Sequence, residues 1–285
     1  MNIKEFSYYV QDAVTKVLED KYKVEMLYDY GDTDNCMLKV TMDDGTEACL
    51  YMKAFYYRYI EESKPFEETI KDILQNCNKS LNRLKIANMV IHNYSYAKDK
   101  IRGCLINTEK NRELLQRVAH HEYMDLSLVY SVDIEIDSDR YGIRVTREML
   151  KNWGISENKL FIQMKENLKN LKTNVTRLSK VIGIDDDLPI CVAFTEDYRY
   201  GSVQMLNEET LNRVTELMDG SFYILPSSIN ELIFTPCDSD EAESDPEKLA
   251  DIVKDVNATT VPTDEILSDH VYFYDYKTET ITIAA

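Results

Sequence analysis

Apolar side chains recur along this chain with two periods. Phe6, Val10, Val14 and Val17/Leu18 come at helical spacing and predict an amphipathic helix over 3–19. The stretches 24–30, 37–42 and 48–52 predict three strands, and Asp43-Asp44-Gly45 is a hairpin turn between the last two. Helices are expected over 53–63, where Lys64-Pro65 ends the pattern, then over 66–77 and 81–97, with IANMVIHNY in the last also compatible with a strand.

The stretch 101–136 carries the clearest signal. Residues 101–106 read as a strand. Asn107 or Thr108 stands at the start of a helix expected to run to about Val118, with Leu114, Leu115 and Val118 as its apolar stripe. Residues 119–122 are expected as a polar break. From 123 the pattern alternates: Leu126, Leu128 and Tyr130 on one face, Asp125, Ser127 and Val129 on the other. It continues as Val132, Ile134 and Ile136 against Asp133, Glu135 and Asp137. One buried and one wet face favours an antiparallel sheet, with 143–145 returning as a hairpin partner.

Further on, Thr146 caps a short helix that stops at Trp153-Gly154, with glycine at the left-handed position. Ser156 caps a helix to about 171, and 189–194 and 202–206 are expected to pair as strands. Asn207 caps a helix to 218. Strands at 222–225 and 231–234 flank Pro226-Ser227-Ser228. Asp245-Pro246 opens a helix to about 256. The last hairpin is expected from 271–274 and 280–283. Strand pairs punctuated by helices, without a βαβ period, predict an α+β fold with antiparallel sheets. Strand–strand–helix groups near 36–62, 189–218 and 222–256 hint at related modules. The expected division is an N-terminal α+β domain over 1–145 and a C-terminal one over 146–285, with a single compact unit as the alternative.

Composition narrows the class. With 285 residues, 44% hydrophobic and 29% charged, the chain can bury a substantial core. No apolar run approaches the ~18 residues a membrane span requires, and the N-terminus lacks the order of a signal peptide. A cytoplasmic protein is expected. Its six cysteines (36, 49, 77, 104, 191, 237) form no C-x-x-C pair, so they read as buried thiols. Net charge is −18, and residues 238–285 hold 13 acids against 3 Lys. Such a surface repels nucleic acid, so no direct nucleic-acid binding is expected.

Candidate chemistry is sparse. His120-His121-Glu122 with Asp125 fails the H-E-x-x-H pattern and reads as two exposed turn histidines. Asp133, Glu135 and Asp137 line one strand face and are the candidate divalent-metal ligands, with Arg140 and Arg144 nearby to steady a phosphate. Ser227 and Ser228 lack a partnering His. No glycine-rich phosphate loop occurs and no cofactor is called for. The 20 tyrosines cluster; Tyr56, Tyr59, Tyr198 and Tyr200 are the candidate protein-contact residues.

The blocks NTEKNRELLQRVAHHEYMDLSLVY, VTREMLKNWGISENKLFIQMKENLKNL, SFYILPSSINELIFTP and DPEKLADIVKDVNATTVPTDEILSDHVYFYD resemble an uncharacterised domain-of-unknown-function family common in gut clostridial bacteria. The resemblance covers the chain from about residue 100 and is weaker before it. It implies a bacterial intracellular protein and brings no catalytic residues. The reading is therefore a non-enzymatic protein-interaction or regulatory module with a protein partner and no membrane association. Alternatives are a metal-dependent hydrolase or nuclease using the acidic row, and an acidic mimic of nucleic acid.

Overall fold

A computed structural model describes residues 1–18, 22–29, 32–136, 138–184, 189–237 and 245–285. The fold is α+β, with antiparallel sheets throughout the described residues. The chain forms two compact units. One comprises residues 1–91 with 135–141, the other 92–134 with 142–285. The division expected at 145 thus falls inside the second unit.

In the first unit, α1 (Ile3–Leu18) is followed by β1 (Tyr22–Asp29), β2 (Asp32–Met42) and β3 (Glu47–Tyr51), then α2 (Met52–Glu61) and α3 (Phe66–His92). Asn2 and Glu5 close a reciprocal box at the start of α1: the Glu5 amide donates to Asn2 Oδ1 and the Asn2 amide to Glu5 Oε2. The sheet order is β1-β2-β3. Cys36, Leu38, Val40 and Ala48 face inward with Phe6, Val10 and Val14 of α1. Phe6 is the hub; the rings of Tyr56, Tyr59 and Phe66 stand 5.4–6.1 Å from it. Gly45 takes φ +83° at the foreseen hairpin turn. Where two helices were expected over 66–97, α3 runs unbroken for 27 residues. Residues 78–80 contain no Gly or Pro, and Cys77 and Leu81, four apart, bury on the same face.

The second unit opens with α4 (Tyr94–Ala97). A four-stranded sheet follows from β4 (Ile101–Asn107), β5 (His120–Tyr123), β6 (Leu126–Ile136) and β7 (Asp139–Arg144), with α5 (Arg112–Leu115) between β4 and β5; the end of β6 and the start of β7, within 135–141, count with the first unit. β4 pairs with one edge of β6, and β5 and β7 with the strand's other edge. The expected helix over 107–118 shrinks to the four residues of α5. Asn107 and Thr108 make a turn rather than a cap, with the Lys110 amide donating to Asn107 Oδ1 and the Thr108 amide to the Asp125 carbonyl. The expected polar break at 119–122 is largely strand. The expected wet face of β6 is also corrected: Leu126–Val132 is buried on both faces, and Ser127 is satisfied by Thr108 Oγ1 at 2.8 Å.

The remaining elements are α6 (Arg147–Trp153), α7 (Glu157–Lys169), β8 (Thr173–Arg177), α8 (Leu178–Ile182), β9 (Cys191–Thr195), a 3-10 helix (Gly201–Leu206), α9 (Glu208–Met218), β10 (Phe222–Ser228), β11 (Glu231–Pro236), α10 (Pro246–Thr259), β12 (Tyr272–Asp275) and β13 (Thr280–Ile283). A six-stranded sheet runs β13-β12-β10-β11-β9-β8. The foreseen caps Thr146, Ser156, Asn207 and Asp245 all accept a backbone amide of their helix's first turn. The segment 202–206, expected as a strand, is the 3-10 helix. Its Ser202 Oγ accepts the Leu105 amide and donates to the Leu105 carbonyl, satisfying the free edge of β4 with one side chain.

Gly201 makes this approach possible, because a Cβ there would overlap the Asn230 carbonyl. Gly201→Ala is expected to cost more than about 4 kcal/mol in urea unfolding. Gly154→Ala, at φ +65° with open space around it, should cost only about 1–2 kcal/mol. Equal losses would show that steric overlap at 201 is not what selects glycine.

Candidate functional site

The described members of the acidic row, Asp133 and Glu135, each have an arginine partner. Asp133 is engaged in the second unit: Arg102 Nη1 donates to its Oδ2 at 2.9 Å, and Arg199 Nη2 lies 3.5 Å from Oδ1. Glu135 belongs to the first unit and lies 3.9 Å from Arg140. Asp137 lies outside the described residues. Among the described residues no group of three or more His, Cys, Asp and Glu side chains is arranged to hold a metal ion.

Asp133 belongs instead to an Arg-centred cluster. Arg102, only 13% exposed, also donates to both oxygens of Asp197, at 2.6 and 3.2 Å, and to the Arg199 carbonyl at 2.9 Å. Burial alone would raise the Asp197 carboxyl, but the hydrogen bond and charge of Arg102 outweigh it and hold the group at about 2. The loop carrying Asp197 is held in an unusual path. Tyr198 and Tyr200 both take positive φ, Thr195 Oγ1 accepts the Arg199 amide, and the Tyr200 amide donates to Asn230 Oδ1. A Cβ at Gly142 would come 3.1 Å from the Tyr200 hydroxyl and 3.2 Å from Arg199 Nη2, so the cluster is filled rather than hollow. Nearby Cys104 is buried, which pushes its thiol up to about 11 and makes it inert.

The histidines separate. His120 and His121 lie half-buried on β5 rather than in an exposed turn. The Tyr130 hydroxyl bonds His121 Nδ1 at 2.7 Å, and Phe161 packs on the ring at 5.3 Å; burial lowers the His121 pKa. Asp125, grouped with them on sequence, faces His270. Three groups meet its carboxylate: Ser268 Oγ at 2.6 Å, the Tyr272 hydroxyl at 2.8 Å and His270 Nδ1 at 3.2 Å. Asn257 Nδ2 braces this loop by donating to the Ser268 carbonyl and Asp269 Oδ1. A pocket of about 320 Å³ opens here, lined in part by Asn107, Glu109, Arg112, Asp269 and His270.

Asp, His and Ser side by side invite comparison with a hydrolytic triad, and the geometry rejects it. In a triad the carboxylate meets Nδ1 and the serine meets Nε2. Here Ser268 lies on the Nδ1 side, 3.3 Å from that nitrogen, is fully buried, and already accepts the His270 amide. No nucleophile is presented. What the arrangement provides is an imidazole fixed by a braced carboxylate at the wall of an open pocket. Sequence spacing could not have found it, because Asp125 and His270 are 145 positions apart.

The tyrosines divide by unit. Tyr56 and Tyr59 pack their rings on Phe6. Tyr200 lies beneath the Arg102 and Arg199 guanidiniums. Tyr198 is 68% exposed and stacks on Phe194 at 5.0 Å. A different set of side chains occupies the outer face of the first unit's sheet. Leu27 pairs with Met37 and Met37 with Tyr51, forming one apolar row across all three strands; Leu27 is 39% and Tyr51 60% exposed. The other end of that face is polar, with Lys23–Glu25 and Lys39–Glu47 ion pairs.

Taken together, the fold and its sites define an acidic, two-unit α+β protein without an assembled catalytic triad or metal cluster among its described residues. A family model matches residues 3–276, and the chain belongs to that family, DUF5688, a family of unknown function. No curated protein and no solved structure shows a significant match. No helix among the described residues is long and apolar enough to cross a membrane.

Replacing Arg102 by Met is expected to cost about 3–5 kcal/mol, because two carboxylates lose their shared countercharge; adding Asp197→Asn should recover part of it in chemical unfolding. The Asp197 carboxyl is depressed from 3.8 to about 2, so its stabilisation is complete above its unfolded value and is lost as pH falls through the folded one. Wild type should therefore lose stability across that window by an amount that Asp197→Asn does not.

Proposed function

We propose that the protein is a non-enzymatic interaction module whose contact surface is the outer face of the N-terminal sheet. The observation that carries this reading is the Leu27–Met37–Tyr51 row. An antiparallel sheet with one buried face ordinarily turns polar residues outward, and the polar end of this face follows that rule. An apolar row crossing every strand does not serve the unit's own core, which lies on the opposite face. Met and Tyr bordered by charged side chains are the composition of a protein-contact patch. A net charge of −18 favours a basic partner and speeds its encounter. The burial of Cys36, Cys77, Cys104 and Cys191 as free thiols supports a reducing compartment, the cytoplasm.

The test is a pull-down with wild type and with Met37→Lys/Tyr51→Lys, each first shown to unfold cooperatively. Wild type should retain a stoichiometric partner and the double variant lose it, with thermal stability changed little because both side chains face outward. Retention of the partner by the variant would move the contact surface elsewhere. Tyr56→Ser, by contrast, should lower stability, since that ring packs on Phe6.

A further inference from the structure

We infer that the contact of His121 with Tyr130 and Phe161 is a proton-sensitive latch, which holds the first half of α7 on β5 at neutral pH and loosens in mild acid. It lies in the second unit and does not depend on the sheet-face surface. Three elements meet at the ring. β5 supplies His121, β6 supplies the Tyr130 hydroxyl at 2.7 Å from Nδ1, and α7 lays Phe161 against the ring at 5.3 Å.

The hydrogen bond has one workable direction. Tyr130 is fully buried, and burial pushes its hydroxyl far above the ordinary phenol range, so it keeps its proton. His121 Nδ1 is the one partner of that hydroxyl among the described residues. A buried hydroxyl with one partner donates to it, because otherwise its proton has no acceptor. Nδ1 therefore accepts, and the neutral ring carries its proton on Nε2. Protonating the ring turns Nδ1 into a donor. The Tyr130 oxygen must then accept, and its own proton is left without a partner.

Burial is the largest influence on the ring and disfavours its charge. Glu157, in the first turn of α7, works the other way, but it stands 3.7 Å from Arg147 of α6 and is 41% exposed. His120, next along β5 with its Nδ1 on the Val118 carbonyl, adds to the effect of burial. The docked ring thus takes a proton only below the ordinary value of 6.5. A ring freed from α7 takes it at that value. The docked state is therefore fully stable above 6.5 and loses stability as pH falls from there to the docked value, where the loss levels off. The loss falls on one end of the helix. Further along α7, Met164 packs on Gly103 of β4, and Asn167 Nδ2 donates to the Lys98 and Ile101 carbonyls, contacts that do not titrate.

The test uses the full chain with labelled histidine rings, the four histidines being assigned by substitution. His121 should titrate below 6.5 and carry its neutral-pH proton on Nε2. Tyr130→Phe, which removes the hydroxyl that must reverse, should move this titration upward. Amide protection over 157–164 should fall several-fold between pH 7 and pH 5, with a ceiling of about 25-fold set by a free ring at its ordinary value. Protection over α9 should hold. His121→Gln, which keeps an acceptor for Tyr130 and does not titrate, should abolish the fall. The latch is overturned if His121 titrates at or above 6.5, or if Tyr130→Phe leaves its titration in place or moves it down. Acid-dependent loss of protection that survives in His121→Gln would overturn it equally.

Discussion

The buried guanidinium of Arg102 joins segments that are far apart in the chain. It lies on β4, grips Asp133 on β6, and clamps Asp197 in the loop after β9. Burying a cation is costly unless its donors are met by anions in good geometry, so these partners can only be where they are. With Asp197 fixed, the loop must turn sharply through Tyr198 and Tyr200 in left-handed conformations, then pass Gly201 against the Asn230 carbonyl. That path delivers Ser202 to the free edge of β4. The edge is then satisfied without another strand, and the four-stranded sheet is joined to the 3-10 helix and, through it, to β9 and β11. The ion pairs, the positive φ values, the glycine and the serine form one linked constraint, in which each member is costly without the others.

This dependence explains which parts of the fold were legible in the sequence. Capped helices were, because Thr146, Ser156, Asn207 and Asp245 act on amides two or three residues away. The hairpins at Gly45 and at β12–β13 were local for the same reason. The 3-10 helix at 201–206 was not. Its apolar pattern, Val203 and Met205 about Gln204, alternates as a strand would, and what overrides it is a contact with Asn230 and β4. The helix expected over 107–118 failed in the same way. Asn107 and Thr108 are good caps, but Asp125 and Ser127 offer them turn partners instead, and the helix is left with one turn.

The sites divide along the same line. The Asp133–Glu135–Asp137 alternation is a true local pattern. Its chemical meaning depends on Arg102, 31 positions before Asp133, and on Arg199, neither of which the strand itself can indicate. A carboxylate held between two guanidiniums has little charge left to offer a cation. Asp125 and His270 carry no mutual sequence signal at all. The signal that existed was indirect: Ser268, His270 and Tyr272 put three hydrogen-bonding side chains on alternate positions beside a strand. Such a row is ordinary on a wet strand face and becomes informative only when it meets a buried acceptor.

Two features of the molecule oppose one another in electrostatic terms. Within the second unit, acids are spent on arginines: Asp133 and Asp197 neutralise Arg102, and neither projects charge to solvent. Around His270 the carboxylates of Glu109, Asp125 and Asp269 outnumber the one guanidinium of Arg112 at the pocket wall. The first use of charge stabilises a loop and excludes ligands because the space is filled. The second leaves open volume beside a braced imidazole. Acidity that serves solubility can sit anywhere on the surface, whereas Asp125 is placed by the buried Ser268 and Tyr272 hydroxyls and in turn orients the His270 ring, so this carboxylate is spent on holding the 268–272 segment against the 124–125 turn.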